Sequence, residues 1–592
     1  MAQSDARFGY QAKLSRDEHN LTQALGFTCA PGMLLPVFED IATPGDTYYI
    51  NHDLSFMRTA PLVAPSMIDV KVHFESYFVP MQMIYQPFEN SHFSLQEILS
   101  SNYQVSEFRN QQLPRIDYLE IGREIGAGTD NLLPDRFEAY RLFNMLDLPC
   151  DYFCGDTLLA GTIGTGFPWS LCAYQCIWQH VFRLDDKDNF DHDTFNLDRF
   201  YNSSDSVTTN FSSVAGMFRL RYRPWAFDYF TSTYRSPIVS NAGTLGILPD
   251  GNYTELIDPT GSSDILGNTF AINSSGSQVN ANSTKVAFTS SFAQNSTKSG
   301  LQSQVSTAMI RQMFANEKLA MITGRTRKNY DSQVLAHFGV NVPHDVKHDV
   351  SFIGHDEFDL KVGEVTSLAS TEASPLGELA GKAWSLGQGK RRKFTAPCHG
   401  VVMTLFSVEP KVRYEKTTNR LSFLTSAIEF PQPEFDRLGN EPMFAREFNE
   451  WRRTNPSPVD IAGWKERYYA YKRRYPRVTK AFNHQGKQVN KNNYAAYFIH
   501  MQPFGAAPYG YSNPTASGNY YINPFAMNDL MLVNYIDIWQ DGGDSQGQTG
   551  ENWDIIGNEH LPFARDPFIV DSNVRVKKVS WMSKDGEPIY PY

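Results

Sequence analysis

The chain has 592 residues, 41% of them hydrophobic, 14% aromatic and 20% charged, enough to bury a large core in one big domain or several. A net charge of −11 excludes a global pull toward nucleic acid, so any such contact must come from a local basic patch. Six cysteines are too few for a disulfide framework. The polar opening MAQSDARFGYQAKLSRDEHN and the lack of any run near ~18 apolar residues predict a soluble protein made inside a cell, with no membrane span.

In chain order, the first clear element is MIDVKVHFESYFVP. Ile68, Val70, Val72, Phe74 and Phe78 alternate with Asp69, Lys71, His73 and Glu75, which predicts a strand with one buried face and one solvated face, closed by Pro80. FPWSLCAYQCIWQHVFR (167–183) places Leu171, Cys172, Gln175, Cys176, Gln179 and Phe182 at three- and four-residue steps, a helix opened by Pro168. From about 238 to 300 the composition turns to Ser, Asn, Thr and Gly, with Val286, Phe288 and Phe292 interspersed, and reads as a partly ordered protrusion. A second helix is predicted over 304–324, with Gly324 as its stop. FIGHDEFDLKV alternates like a strand. HGVVMTLFSVEPKVRY (399–414) is a strand apolar on both faces, and DPFIVDSNVRVKKVSWM is another strand near the end. Abundant Phe and Tyr support a mainly β protein, and the long connections argue against βαβ units.

No enzyme motif survives inspection. SPLGELAGKA has three residues between Gly377 and Gly381 where a phosphate loop needs four, and Ala383 follows Lys382. His73 and Glu75 form half of a zinc-deaminase signature, but Cys150 and Cys154 are spaced one residue too far for the other half. Cys172 and Cys176 fall on the helical stripe and read as small hydrophobes. DDKDNFDHDTFNLD (185–198) lacks the glycine and terminal glutamate of a calcium loop. HFGVNVPHDVKHDVSFIGHD gathers His337, His344, His348 and His355, but Pro343 works against the helix that a shared metal at i, i+4 would need. His344, His348 and His355 are expected in loops and strand edges at a subunit contact, with pH-sensitive packing favoured over metal; no metal or cofactor is assigned.

Two basic stretches remain. GKRRKF carries Lys390, Arg391, Arg392 and Lys393. WKERYYAYKRRYPRVTK interleaves Lys465, Arg467, Lys472, Arg473, Arg474, Arg477 and Lys480 with tyrosines, and 452–480 holds nine cations against two acids. Cations for phosphates and aromatic faces for bases suit single-stranded nucleic acid. A solvated surface, salt bridges or a subunit contact are the alternatives.

Several segments, in order, resemble the major capsid protein of the microviruses, in particular the gokushovirus-like branch. They are Leu35-Pro36-Val37 with Pro44-Gly45-Asp46-Thr47, Phe78-Val79-Pro80, the 167–183 helix, and Asp228-Tyr229-Phe230-Thr231-Ser232. SPLGELAGKA, His337-Phe338-Gly339-Val340, His399-Gly400, FPQPEFDRLGNEPM, ERYYAYKRRYPRVT and the closing EPIYPY complete the set. The stretches 100–146 and 238–300 have no counterpart in the resemblance, and the usual Trp-Pro after the Asp-Tyr-Phe-Thr-Ser marker is here TYRSPI.

The resemblance implies a single antiparallel β-jelly-roll domain over 1–592 with long insertions, 238–300 being a variable surface excursion. It implies a virion protein, made and assembled in the bacterial host cytoplasm, whose copies form an icosahedral shell around circular single-stranded DNA. Implied partners are itself, the packaged DNA, other virion proteins of pilot and small DNA-binding type, and a host surface receptor. A non-assembling single-stranded DNA-binding protein is the alternative, and a hydrolase using the His/Asp cluster is a third.

Overall fold

The computed structural model describes residues 16–59, 69–86, 88, 113–127, 136–149, 165–183, 190–200, 211–224, 226–230, 232–234, 270–272, 279–281, 284–286, 330–339, 349–366, 379–411, 413–414, 417–436, 439–444, 447, 461–477, 479, 500–501, 555–556, 559–560, 568–582 and 584, and single positions between 311 and 326. The chain divides into two units, Met1–Pro237 with Val342–Tyr592, and Ile238–Asn341.

The principal strands of the first unit begin with β1 (Asp17–Asn20), β2 (Gln23–Cys29), β3 (Leu35–Ala42), β4 (Thr47–Thr59) and β5 (Val70–Pro80). After a long excursion come β6 (Ser351–Asp359), β7 (Lys361–Thr366), β8 (Leu379–Gln388), β9 (Arg392–Thr395) and β10 (Gly400–Pro410). Next are β11 (Asn440–Phe444), β12 (Ile461–Glu466) and β13 (Phe568–Ser580). Its longer α-helices among the described residues are α1 (Tyr118–Ala127), α2 (Arg136–Met145) and α3 (Trp169–Ile177).

A seven-stranded antiparallel sheet runs β1–β13–β4–β8–β7. The long central strands β4 and β13 take extra partners: β9 pairs the first residues of β4, and β2 pairs the first half of β13. A four-stranded antiparallel sheet runs β6–β5–β10–β3. The two sheets pack face to face through ring contacts, Phe27 of β2 edge-on to Phe406 of β10 at 5.0 Å and Phe78 of β5 tilted against Phe394 of β9 at 5.2 Å. The turn between β3 and β4 uses Gly45 at φ 89, where a left-handed backbone favours glycine. Asp46 closes that turn by accepting from the Thr43 amide at 2.9 Å.

The strands expected from alternation lie at β5 and β6, the one expected from a run apolar on both faces lies at β10, and the one expected near the end lies at β13. One expectation is corrected. β5 is buried on both faces, and His73 and Glu75, expected on a solvated face, are 4% and 8% exposed. The cause is a second layer, in which Arg223 bonds Glu75 and α3 lies nearby; every residue from Ser170 to Ile177 is buried, the polar Gln175 by donating to the Met217 and Arg219 carbonyls. The helix lies on the side of β5 and β10 that faces away from the second sheet, anchored by Tyr174, whose hydroxyl donates to the Leu34 carbonyl at 2.8 Å. A wider helical turn, Trp178–Phe182, continues it and brings Phe182 against Tyr77. Cys172 and Cys176 are free and fully buried, as small hydrophobes are, and burial raises both thiols. Cys150 and Cys154 lie outside the described residues.

In the second unit, Phe270–Ile272, Val279–Ala281 and Thr284–Val286 form a three-stranded antiparallel sheet inside the Ser/Asn-rich stretch. Phe288 and Phe292 lie outside the described residues. Helical backbone occurs at described positions between 311 and 323, within the helix expected over 304–324. A further helix, α4 (Tyr330–Phe338), contains His337, and Gly339 at φ 69 follows it.

A buried carboxyl on β3 gives a pH test of this packing. Burial first, then the neighbouring Asp147 and Asp40, push Glu39 from an ordinary 4.5 up to about 8. The folded chain therefore holds a proton that the unfolded chain releases, so stability falls as pH rises from about 4.5 to about 8. Glu39→Gln should change little at pH 4 and should stabilise by roughly 2–3 kcal/mol above pH 8, read by denaturant titration at both pH values.

Candidate functional site: a basic surface and a histidine–carboxylate centre

The basic stretch 461–477 is docked on a buried carboxylate. Glu447, 1% exposed, accepts from the Tyr469 hydroxyl at 2.6 Å, from Arg420 at 3.1 Å and from the Phe444 amide at 3.0 Å. Tyr229, Phe230, Tyr414 and Tyr475 pack beside it, with Tyr229 and Tyr475 ring centroids 4.8 Å apart. The Asp228-to-Ser232 segment supplies the polar seat: Asp228 accepts from the Tyr414 hydroxyl, and Ser232 accepts from the Lys465 ammonium at 2.6 Å.

That docking sorts the sequence-predicted cations. Lys465 is wholly buried, a correction to its place on the nucleic-acid list: its ammonium holds Ser232 and is not open to a phosphate. Arg467 is half-buried against Phe435 and Tyr468. Lys472 pairs with Asp436, and Arg473 pairs with Glu466 at 2.9 Å. Arg474 and Arg477 are exposed, as is Tyr471, whereas Tyr468 and Tyr469 are buried and Tyr475 is packed. Lys480 lies outside the described residues. In the other stretch, Lys390, Arg391 and Lys393 are exposed, with Arg391 4.4 Å over the Tyr49 ring. Arg392 turns inward. It binds the Asp356 carboxylate and the His355 carbonyl.

Asp356 in turn belongs to a polar relay between the sheets. His52 Nδ1 lies 2.8 Å from Asp356 Oδ2, His52 Nε2 lies 2.7 Å from Ser76 Oγ, and Ser76 Oγ lies 2.8 Å from Thr404 Oγ1. His52 thus bridges the Asp356 carboxylate and the Ser76 hydroxyl through its two ring nitrogens. The relay was missed from sequence, although a signal existed. His52 follows Tyr48 and Ile50, Ser76 separates Phe74 from Phe78, and Thr404 separates Val402 from Phe406, each a polar residue in the apolar phase of a strand.

On the opposite face of the four-stranded sheet lies a second cluster. The β5–β6 register sets His355 beside Glu75 and Glu357 beside His73. His73 Nδ1 is 2.9 Å from His355 Nε2, and His355 Nε2 is 3.9 Å from Glu75 Oε1. Glu409 of β10 reaches His73 Nε2 at 3.1 Å, and Arg223 bridges Glu75 at 3.1 Å and Glu409 at 3.2 Å. The Tyr77 hydroxyl donates to the other Glu75 oxygen at 3.0 Å. Burial first, then the opposing pull of Glu75, leaves the His355 ring more easily deprotonated than an ordinary histidine. Sequence reasoning brought two of the four clustered histidines into the described residues, His337 and His355, and the fold separates them into different units; His344 and His348 lie outside those residues.

No helix among the described residues is long and apolar enough to cross a membrane. The model of the family described as capsid protein (F protein) of phages matches residues 10–106 and 159–502. The unmatched interval between these segments covers most of the 100–146 stretch that the resemblance could not place, while the match runs on through 238–300. Capsid protein VP1 of Chlamydia phage 1 is 27% identical over 169 residues, which is 27% of this chain. The match spans 28% of the length of that relative. With a family match over more than half of its length, on a chain whose first unit is built from two packed antiparallel sheets, the chain belongs to the phage capsid protein (F protein) family.

Proposed function

We propose that the chain is the major coat protein of a small icosahedral phage, its first unit a β-jelly roll whose copies close into a shell around single-stranded DNA. The observation that carries this reading is the capsid-family match on both sides of the 107–158 gap. Two antiparallel sheets packed face to face are what a jelly roll requires. Exposed aromatic and aliphatic side chains, among them Phe227 at 70%, Phe352 at 61% and Leu386 at 60%, suit contacts that are covered only between copies. The work of such a protein is assembly and enclosure rather than catalysis, and its place is the virion after assembly in the host cytoplasm. Other virion proteins and a host receptor are partners of the assembled shell.

DNA contact falls to the exposed cations that no salt bridge among the described residues engages: Arg474 and Arg477 with Tyr471 in one stretch, and Lys390, Arg391 and Lys393 in the other. Particles purified from cells carrying a circular single-stranded replicon should protect that DNA from nuclease. A strictly monomeric protein that binds DNA without protecting it would overturn the reading. Changing Arg474, Arg477 and Arg391 together to Ala should leave shells forming while lowering DNA per particle several-fold. Lost assembly with unchanged DNA in surviving particles would reassign these residues to subunit contacts.

A further inference from the structure

We propose that His73, Glu75 and His355 form a binding site for one divalent transition-metal ion of zinc type, clipping edge strand β6 to β5. One ligand atom from each residue lies within 4.8 Å of the others. Two imidazoles and a carboxylate form a nitrogen-rich donor set suited to zinc or cobalt rather than calcium or magnesium. The cluster unites two features that the sequence presents far apart, the His73-x-Glu75 pair and one member of the 337–355 histidine group.

The surroundings are those of a metal site. His73 has Glu409 at 3.1 Å from its second ring nitrogen, the carboxylate partner that orients a ligating imidazole. Glu75 is oriented through its other oxygen by the Tyr77 hydroxyl at 3.0 Å. Glu75 and Glu409 carry two negative charges and Arg223 one positive, leaving a net −1 to meet a dication. The His355 side chain is 33% exposed, whereas His73 is 5% exposed, so an ion and a completing water enter from the β6 side. The nitrogens stand 2.9 Å apart; tetrahedral ligation with bonds near 2.0–2.1 Å needs roughly 3.3 Å, a small outward shift of the edge-strand imidazole. On binding, Glu75 Oε1 turns from Arg223 toward the ion, and Arg223 keeps Glu409.

The test uses the full chain, stripped with chelator and titrated with Zn²⁺ alone by calorimetry and with Co²⁺ alone by visible absorption. The expected result is one ion per chain and a cobalt spectrum of low coordination number. His355→Ala, at a partly exposed position the fold tolerates, should weaken binding by roughly a hundredfold. Glu409→Gln, which keeps the shape but not the charge, should weaken it by roughly tenfold. Failure of the stripped wild-type chain to bind either ion would overturn the proposal. Binding of equal affinity in the His355→Ala chain, checked as folded by circular dichroism, would place the ion elsewhere and overturn it too.

Discussion

Asp356→Ala should lower the unfolding free energy by about 3 kcal/mol, read as a lower denaturant midpoint at unchanged slope. The substitution strands two partners at once. His52, 0% exposed, loses the acceptor for its Nδ1 proton, and Arg392 loses the carboxylate that holds it between the sheets. A hydrophobic replacement cannot satisfy either donor, and a buried unpaired cation costs more than the pair contributed. Burial alone would raise the Asp356 carboxyl, but bonds from His52, Arg392 and the Lys390 amide outweigh it and hold the group well below its ordinary 3.8. A folded value depressed in this way stabilises the fold above the ordinary value and is lost as pH falls below it. Wild type should therefore lose stability below about pH 4 more steeply than Asp356→Ala, and the gap between them should narrow.

Glu447→Ala should cost about 3 kcal/mol, because the Tyr469 hydroxyl and the Phe444 amide lose their buried acceptor and Arg420 keeps only Glu441 at 3.6 Å and the Pro442 carbonyl. Its local consequence separates it from the first variant. Glu447 is where 461–477 meets the Asp228-to-Ser232 segment, so amide hydrogen exchange across 461–477 should rise before the two sheets open. Tyr469→Phe should show the same localisation at about 1 kcal/mol, since it removes one hydroxyl from a carboxylate that keeps its other donors. Exchange that rises uniformly through β5 and β10 instead would show that this hub is not a separate docking unit.

Period-two alternation was enough to place β5, and a run apolar on both faces placed β10, because a strand buried on both sides has no polar phase. What it could not show is the second layer. The odd positions of β5, His73 to Tyr77, look like a solvated face until Arg223 and Phe182 cover them, and nothing local to MIDVKVHFESYFVP announces a layer that arrives a hundred or more residues later. The same limit explains the basic stretch. Nine cations against two acids read as a surface, yet Lys465 is buried, and the partner that accepts its hydrogen bond, Ser232, lies more than two hundred residues upstream. The histidine centre was half legible: His73-x-Glu75 and His355 were each noticed, and only the β5–β6 register brings them together. The relay through His52 could have been read from polar residues in the apolar phase of three strands.

The central claim is that copies of this chain build a closed shell, and electron microscopy of the purified protein tests it most directly. Uniform icosahedral particles, with two packed antiparallel sheets resolved in each subunit, are the result the fold and family predict. A monodisperse monomer under every assembly condition, folded and stable but never forming particles, would contradict it.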